Sequence, residues 1–296
     1  MTNSAYATSP DRNRGPIAVG GLGGSGTRVF AASLQHAGFD IGSTLNDPLD
    51  NLWFTILFKR RAWSRNLPDP ADIAISVDLF QRAMTTGLAG NITGKEADLL
   101  YNLASDLVPK GSWTCGAQAG HIDSLIASVP RGNAQRQAWA WKEPNSHLFL
   151  PQLNAQIDGL RYIHVVRDGL DMSFSKNTWQ ADHWAHHFGL KRQNTRSDPV
   201  RQLRYWVAAN RRAIDYSKQH MAGHFLVMDY DDFCMYPDVH WPRLQRFLGK
   251  PADTPIPDGF IAHTSIGRNK TMDLSVFPRE LLEACSALQQ EIEYLV

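Results

Sequence analysis

Five glycines in seven positions, Gly20-Gly-Leu-Gly-Gly-Ser-Gly26, follow the apolar run Ile17-Ala-Val19 and precede Val29, Phe30, Ser33, Leu34 and Ala37, which repeat at helical spacing. An apolar run, a glycine-rich turn and a 3.6-residue period read together as strand, tight loop and amphipathic helix. Glycine lets the backbone take left-handed torsions and approach a ligand closely. The start of a helix carries unsatisfied N–H groups and the positive end of the dipole, so this turn invites a phosphate or a sulfate. Gly21-x4-Gly26 has the spacing of the nucleoside-triphosphate loop, but Thr27 and Arg28 stand where that loop carries its Lys. The dinucleotide fingerprint can be laid on Gly21, Gly23 and Gly26, yet no acidic ribose ligand closes an obvious second strand about 20 residues on. A merely structural strand-to-helix turn is the remaining reading.

An anion site here must be local. The 296-residue chain carries 30 basic and 29 acidic side chains, a net charge of +1, which gives no reason to expect nucleic acid or an anionic membrane surface. Cys115, Cys234 and Cys285 have neither zinc spacing nor a disulfide framework. Residues 1–14 are polar, lack the apolar core of a secretion signal and are expected to be mobile, and no later stretch has the length of a membrane span. The expectation is a soluble, cytoplasmic protein.

Further along, Asp47 and Asp50 precede the apolar run Leu52–Phe58. Helix capping is the default for both, and the alternative is a base facing the anion loop. Residues 55–135 read as a helical insertion, with helical patterns around 71–84 and 94–108 interrupted by Gly87, Gly90 and Gly111. Its Trp63, Trp113 and His121 read as packing residues or as the lining of an acceptor pocket. Gln137–Lys142 is a short strand stopped by Pro144, so Lys142 and Glu143 sit at a strand's C-terminal end, the edge where open parallel sheets bind ligands. An ordinary salt bridge there is the competing account. Leu160–Arg167 is a buried strand followed by a helix in which Asp168 is the cap, with Asp171 in the first turn and Ser175 two turns in. Arg167 and Ser175 would then meet one anion, the Arg offering a planar fork of donors. His183 and His187 share a helical face but lack a third metal ligand of suitable spacing, so no metal is expected. Pro199–His220 is a long helix with Leu203, Trp206, Val207, Asn210 and Ile214 on one stripe and arginines on a solvated face. The strand at Phe225 and the polar loop carrying Arg268 and Lys270 complete the pattern. The βαβ alternation predicts one α/β domain over residues 15–296, a three-layer sandwich like that of the P-loop nucleoside triphosphate hydrolases, with a central, mainly parallel sheet flanked by helices.

Four pieces occur in one order: Gly23-Gly-Ser-Gly-Thr-Arg28, Trp141-Lys-Glu-Pro144, Val165-Val-Arg-Asp-Gly-Leu-Asp-Met-Ser-Phe-Ser175 and Gly267-Arg-Asn-Lys270. Together they resemble the sulfotransferase family that uses 3′-phosphoadenosine 5′-phosphosulfate (PAPS). The resemblance implies that Gly23, Gly24, Ser25, Gly26, Thr27 and Arg28 surround the 5′-phosphosulfate, that Arg167 and Ser175 bind the 3′-phosphate, and that Arg268 and Lys270 cover the nucleotide. It also implies transfer of a sulfuryl group to a hydroxyl or amine of a small-molecule, glycan or lipid acceptor, without a metal. Many cytosolic members carry Lys where this chain has Gly24, so Arg28 and Lys142 are the candidates for the missing charge. The histidine that serves some members as base falls at Pro144. Other members use a carboxylate after the first helix, which makes Asp50 the first candidate base, ahead of Asp47, with Glu143 second and His147 or His121 behind. Trp63, Trp113, Trp179 and Trp184 suit a sugar ring or an aromatic acceptor. Two other functions fit parts of the pattern: a nucleotide kinase, which the missing Lys opposes, and a non-catalytic polyanion-binding module, which the balanced charge opposes.

Overall fold

The computed structural model describes residues 15–105, 107, 117–127, 138–191, 196–257, 259–261 and 271–296. Strand β1 (Ile17–Gly21) lies between β2 (Ala140–Lys142) and β3 (Arg161–Val166), and β4 (Phe225–Asp229) flanks β3, in the order β2-β1-β3-β4. All three pairings are parallel, with Ile17 opposite both Ala140 and Arg161, and Tyr162 opposite Phe225. The strands are nearly continuous apolar runs because helices cover both faces, as parallel sheets require.

Alternate strand residues feed two separate cores. Ile17, Val19, Ala140, Ile163 and Val165 pack on one face against Phe30 and Leu34 of α1 (Thr27–His36), Phe233 of α10 (Tyr230–Met235), and Trp241 and Leu244 of α11 (Pro237–Leu248). Ala18, Trp141, Tyr162 and Val166 face the larger core on the other side. That core draws on α2 (Leu52–Phe58), α3 (Pro70–Thr85), α4 (Gly94–Ala104) and α5 (His121–Ile126), then on α6 (Leu150–Gln156), α7 (Gly169–Ser173) and α8 (Trp179–Trp184). The long α9 (Pro199–His220) and α12 (Arg279–Leu295) complete it. The arrangement is the expected three-layer α/β sandwich.

The described parts of segment 55–135 share this core. Phe80 of α3 meets Phe54, Phe58, Trp139 and Trp141 edge-on, and Trp63 packs on Phe149 with ring centres 5.5 Å apart. Trp63 is thus a packing residue; Trp113 lies outside the described residues. On α9 the arginines divide. Arg204 is exposed, but Arg201 is buried, and Arg212 donates to the Leu148 carbonyl and stacks over Phe188. No helix among the described residues is long and apolar enough to cross a membrane.

The chain order 2-1-3-4 reverses direction across β1 and β3. All four strands end at one edge, and the crevice beside such a reversal is where open α/β sheets take ligands.

Candidate active site

Gly26 caps α1 in a left-handed conformation (φ 88°), and a Cβ there would lie 2.0 Å from the Tyr230 ring. Only glycine fits both the torsion and the space. No side chain caps α1 and its first turn contains no acidic residue, so no carboxylate there offsets the positive end of its dipole. Gly26, Thr27 and Arg28 at this helix start line a cleft of about 780 Å³. The cleft brings together Gly23, Gly24, Gly26, Thr27 and Arg28 of the loop, Asp47 and Asp50, Lys142 and Glu143 at the end of β2, and Arg167 at the end of β3. Ser25 is buried behind this surface.

Asp50 does not cap α2. Asn51 does, accepting from the Phe54 N–H at 3.1 Å. Asp50 instead forms a buried ion pair with Lys142, whose ammonium also donates to the Pro48 carbonyl at 3.0 Å, and its other oxygen accepts from Asn46 Nδ2 at 2.9 Å. Lys142 thus makes a salt bridge at the sheet edge, and its partner is Asp50. Glu143 is 1 % exposed and accepts from the backbone N–H of Asn145 at 2.7 Å and from Asn145 Nδ2 at 3.0 Å. Burial pushes its carboxyl up to about 7, aided by the charge of Asp50 and opposed by Lys59, the Asn145 bond and Lys142. His147 does not line the cleft. Its ring bonds to the Pro144 carbonyl at 2.8 Å, and burial holds it down at about 3, so it stays neutral. His121 also lies off the cleft and accepts from the Gln118 N–H.

Arg167 is buried between carboxylates, with Nε 3.3 Å from Asp231 and a terminal nitrogen 3.8 Å from Asp171, and its guanidinium lies 5.6 Å from the Tyr230 ring centre. Asp168 caps α7 as expected, accepting from the Asp171 N–H at 2.7 Å. That helix ends at Ser173, so Ser175 stands beyond it rather than two turns in. Its Oγ accepts from the Asn177 N–H at 3.1 Å and does not line the cleft. Arg268 and Lys270 lie outside the described residues.

Residues 16–254 match the family model described as the sulfotransferase family. The chain belongs to that family. Among solved structures, the sulfotransferase domain of the Synechococcus PCC 7002 olefin synthase is similar at 14 % identity, over 95 % of this chain and 97 % of that one, with a TM-score of 0.50. The sulfotransferase domain of the curacin biosynthetic pathway is similar at 14 % identity, over 93 % and 97 %, with a TM-score of 0.48. At such identity the first likeness shows the fold. No curated protein sequence matches significantly.

Three residues of this sulfotransferase's cleft carry no motif in the sequence. Lys59, buried at the C-terminal end of α2, holds its ammonium 3.8 Å from the ring centre of Trp179. Asn145 and Gln180 are joined by a 2.8 Å bond, and Gln180 Oε1 accepts from the Gly23 N–H at 2.8 Å. His183 and His187 bond to the carbonyls of Trp179 and Trp63, and among the described residues no group of three or more His, Cys, Asp or Glu side chains could hold a metal ion.

Proposed function

We propose that this sulfotransferase uses PAPS and transfers its sulfuryl group to a hydroxyl or amine of a small-molecule, glycan or lipid acceptor. The observation that carries the reading is the uncapped start of α1, with Arg28 beside it, opening into the same cleft as Arg167. An extended donor with a phosphosulfate at one end and a 3′-phosphate at the other needs donors at both ends; the start of α1 with Arg28 supports one, and Arg167, its guanidinium held between Asp171 and Asp231, supports the other. Bound there, the donor supplies the sulfuryl group and a phosphate leaving group.

The chain's own residues supply orientation and proton transfer. Backbone donors at Gly24, Gly26 and Thr27, with Arg28, grip the phosphosulfate end, and Arg167 grips the 3′-phosphate. Lys142 lends positive potential where negative charge develops, while Asp50 and Pro48 hold its ammonium in place. Glu143, rather than Asp50, receives the acceptor's proton. Asp50 is committed to Lys142 and Asn46, whereas Glu143 lines the cleft with its carboxyl raised to about 7, the range in which a base works best at neutral pH.

Calorimetric titration with 3′-phosphoadenosine 5′-phosphate tests the donor reading, with saturable binding expected. A folded sample that bound magnesium–ATP and not this nucleotide would overturn it in favour of a kinase. Transfer from radiolabelled PAPS to a panel of phenols, glycans and lipids would identify the acceptor class.

A further inference from the structure

Gly23 contributes a backbone N–H to the loop, and that donor is already taken by Gln180 Oε1 at 2.8 Å. A backbone N–H can only donate, so Gln180 must present its oxygen there and its NH2 group on the other side. That NH2 group meets Asn145 Oδ1 at 2.8 Å. Asn145, its oxygen now fixed toward Gln180, must turn its own NH2 group onto Glu143, which it reaches at 3.0 Å, while its backbone N–H reaches the second carboxyl oxygen at 2.7 Å. The orientation of both amides follows from the backbone donor at one end, and it delivers the Asn145 side-chain donor to the carboxyl at the other, beside the backbone N–H of Asn145. Glu143, Asn145 and Gln180 are all buried.

We propose that Gln180 and Asn145 form a directional relay that fixes Glu143 as a proton acceptor toward the cleft and ties its orientation to the glycine-rich loop. The inference rests on Glu143 being the base proposed above. Both Glu143 oxygens accept on the Asn145 side, so a proton taken up by this carboxyl occupies a lone pair on its other side. Gln180 and Asn145 are positioning residues, acting through Glu143 and the loop. The relay also explains why a carboxyl so deeply buried still ionises near neutrality: two donors offset part of its desolvation, in a field set by Asp50, Lys59 and Lys142, while the Tyr205 phenol of α9 is kept neutral by burial. Gly23 thereby loses the anion-holding role that the resemblance implies for its amide, and instead clamps the loop.

The test uses the full chain labelled at the glutamate carboxyl carbon, with the Glu143 resonance assigned by its loss in Glu143→Gln and titrated by NMR. Gln180→Met keeps the side-chain volume and removes both polar contacts. Asn145 is then free to turn, and the Glu143 midpoint should rise by about half a pH unit or more. Asn145→Leu leaves Gln180 on Gly23 and removes the side-chain donor to Glu143 without adding charge, so its midpoint should rise at least as far. A midpoint unmoved in whichever of the two variants folds would overturn the relay. Loss of 3′-phosphoadenosine 5′-phosphate binding with an unmoved midpoint would reduce Gln180 to a loop clamp and overturn it equally. The proposed function fails by a different result, absence of that binding in the wild type, while the Glu143 midpoint still reports on the relay.

Discussion

Replacing Glu143 by Gln separates burial from catalysis in one experiment. The side chain is 1 % exposed, and burial lifts its carboxyl from an ordinary 4.5 to about 7. At 1.36 kcal/mol per pH unit, that rise makes the ionised folded form about 3 kcal/mol less favourable than the ionised unfolded one. The sign follows from the protons. Between pH 4.5 and 7 the unfolded chain has released this proton and the folded chain has kept it, so wild-type stability falls as the pH rises through that window and levels off above it. Glu143→Gln lacks the titration but presents one oxygen to the two Asn145 donors, leaving one unsatisfied at a cost of about 1 to 3 kcal/mol at every pH. Urea unfolding should therefore find the variant less stable than wild type at pH 5, with the difference moving in its favour by about 2 to 3 kcal/mol by pH 8.5. A stability difference constant to within about half a kcal/mol over that range would refute the burial argument. Sulfuryl transfer by the variant should drop by about 100-fold or more while nucleotide affinity is retained.

Arg167→Ala should weaken binding of 3′-phosphoadenosine 5′-phosphate by about 2 to 4 kcal/mol in calorimetry, and Arg167→Lys should recover only part of it because an ammonium lacks the planar fork. Lys142→Met leaves the Asp50 carboxylate buried without its partner and should cost about 3 to 5 kcal/mol in urea unfolding. Asp50→Asn in the same chain should restore part of that loss, and full additivity of the two changes would argue against the pair. Gly26→Ala forces a Cβ into the Tyr230 ring at positive φ and should lower stability by about 1 to 3 kcal/mol; an unchanged melting temperature would show that the loop can re-form around it.

The strands and the loop were legible because their signals are local. Ile17–Val19, Leu160–Val166 and the glycines declare themselves through run length and composition, and Asp168 through its distance to the next helix. The partners of those features were not legible, because they are set by the fold. Asp50 and Asn51 are adjacent and both suit a helix start; only the end of β2, arriving with Lys142, gives one to the ion pair and leaves the other as the cap. Lys59 carries no motif, and only the fold brings Trp179 beneath it. Ser175 was misplaced because a capped turn looked like the start of a longer helix, whereas α7 stops after five residues. Asn145 and Gln180 had no signal at all, since amides take their meaning from what they bridge.

The central strand pairing joins residue 17 to residue 161, and the clamp on the loop joins Gly23 to Gln180. Closing so long a segment costs chain entropy before the contacts it brings are gained, which places this sheet among slowly formed, non-local structures. The mounted glycine-rich loop is therefore a late product of folding. A peptide spanning only the glycine-rich stretch has the right letters without the mount that aims them, and the nucleotide binding proposed for this sulfotransferase would report that β2, β3 and α8 have all arrived.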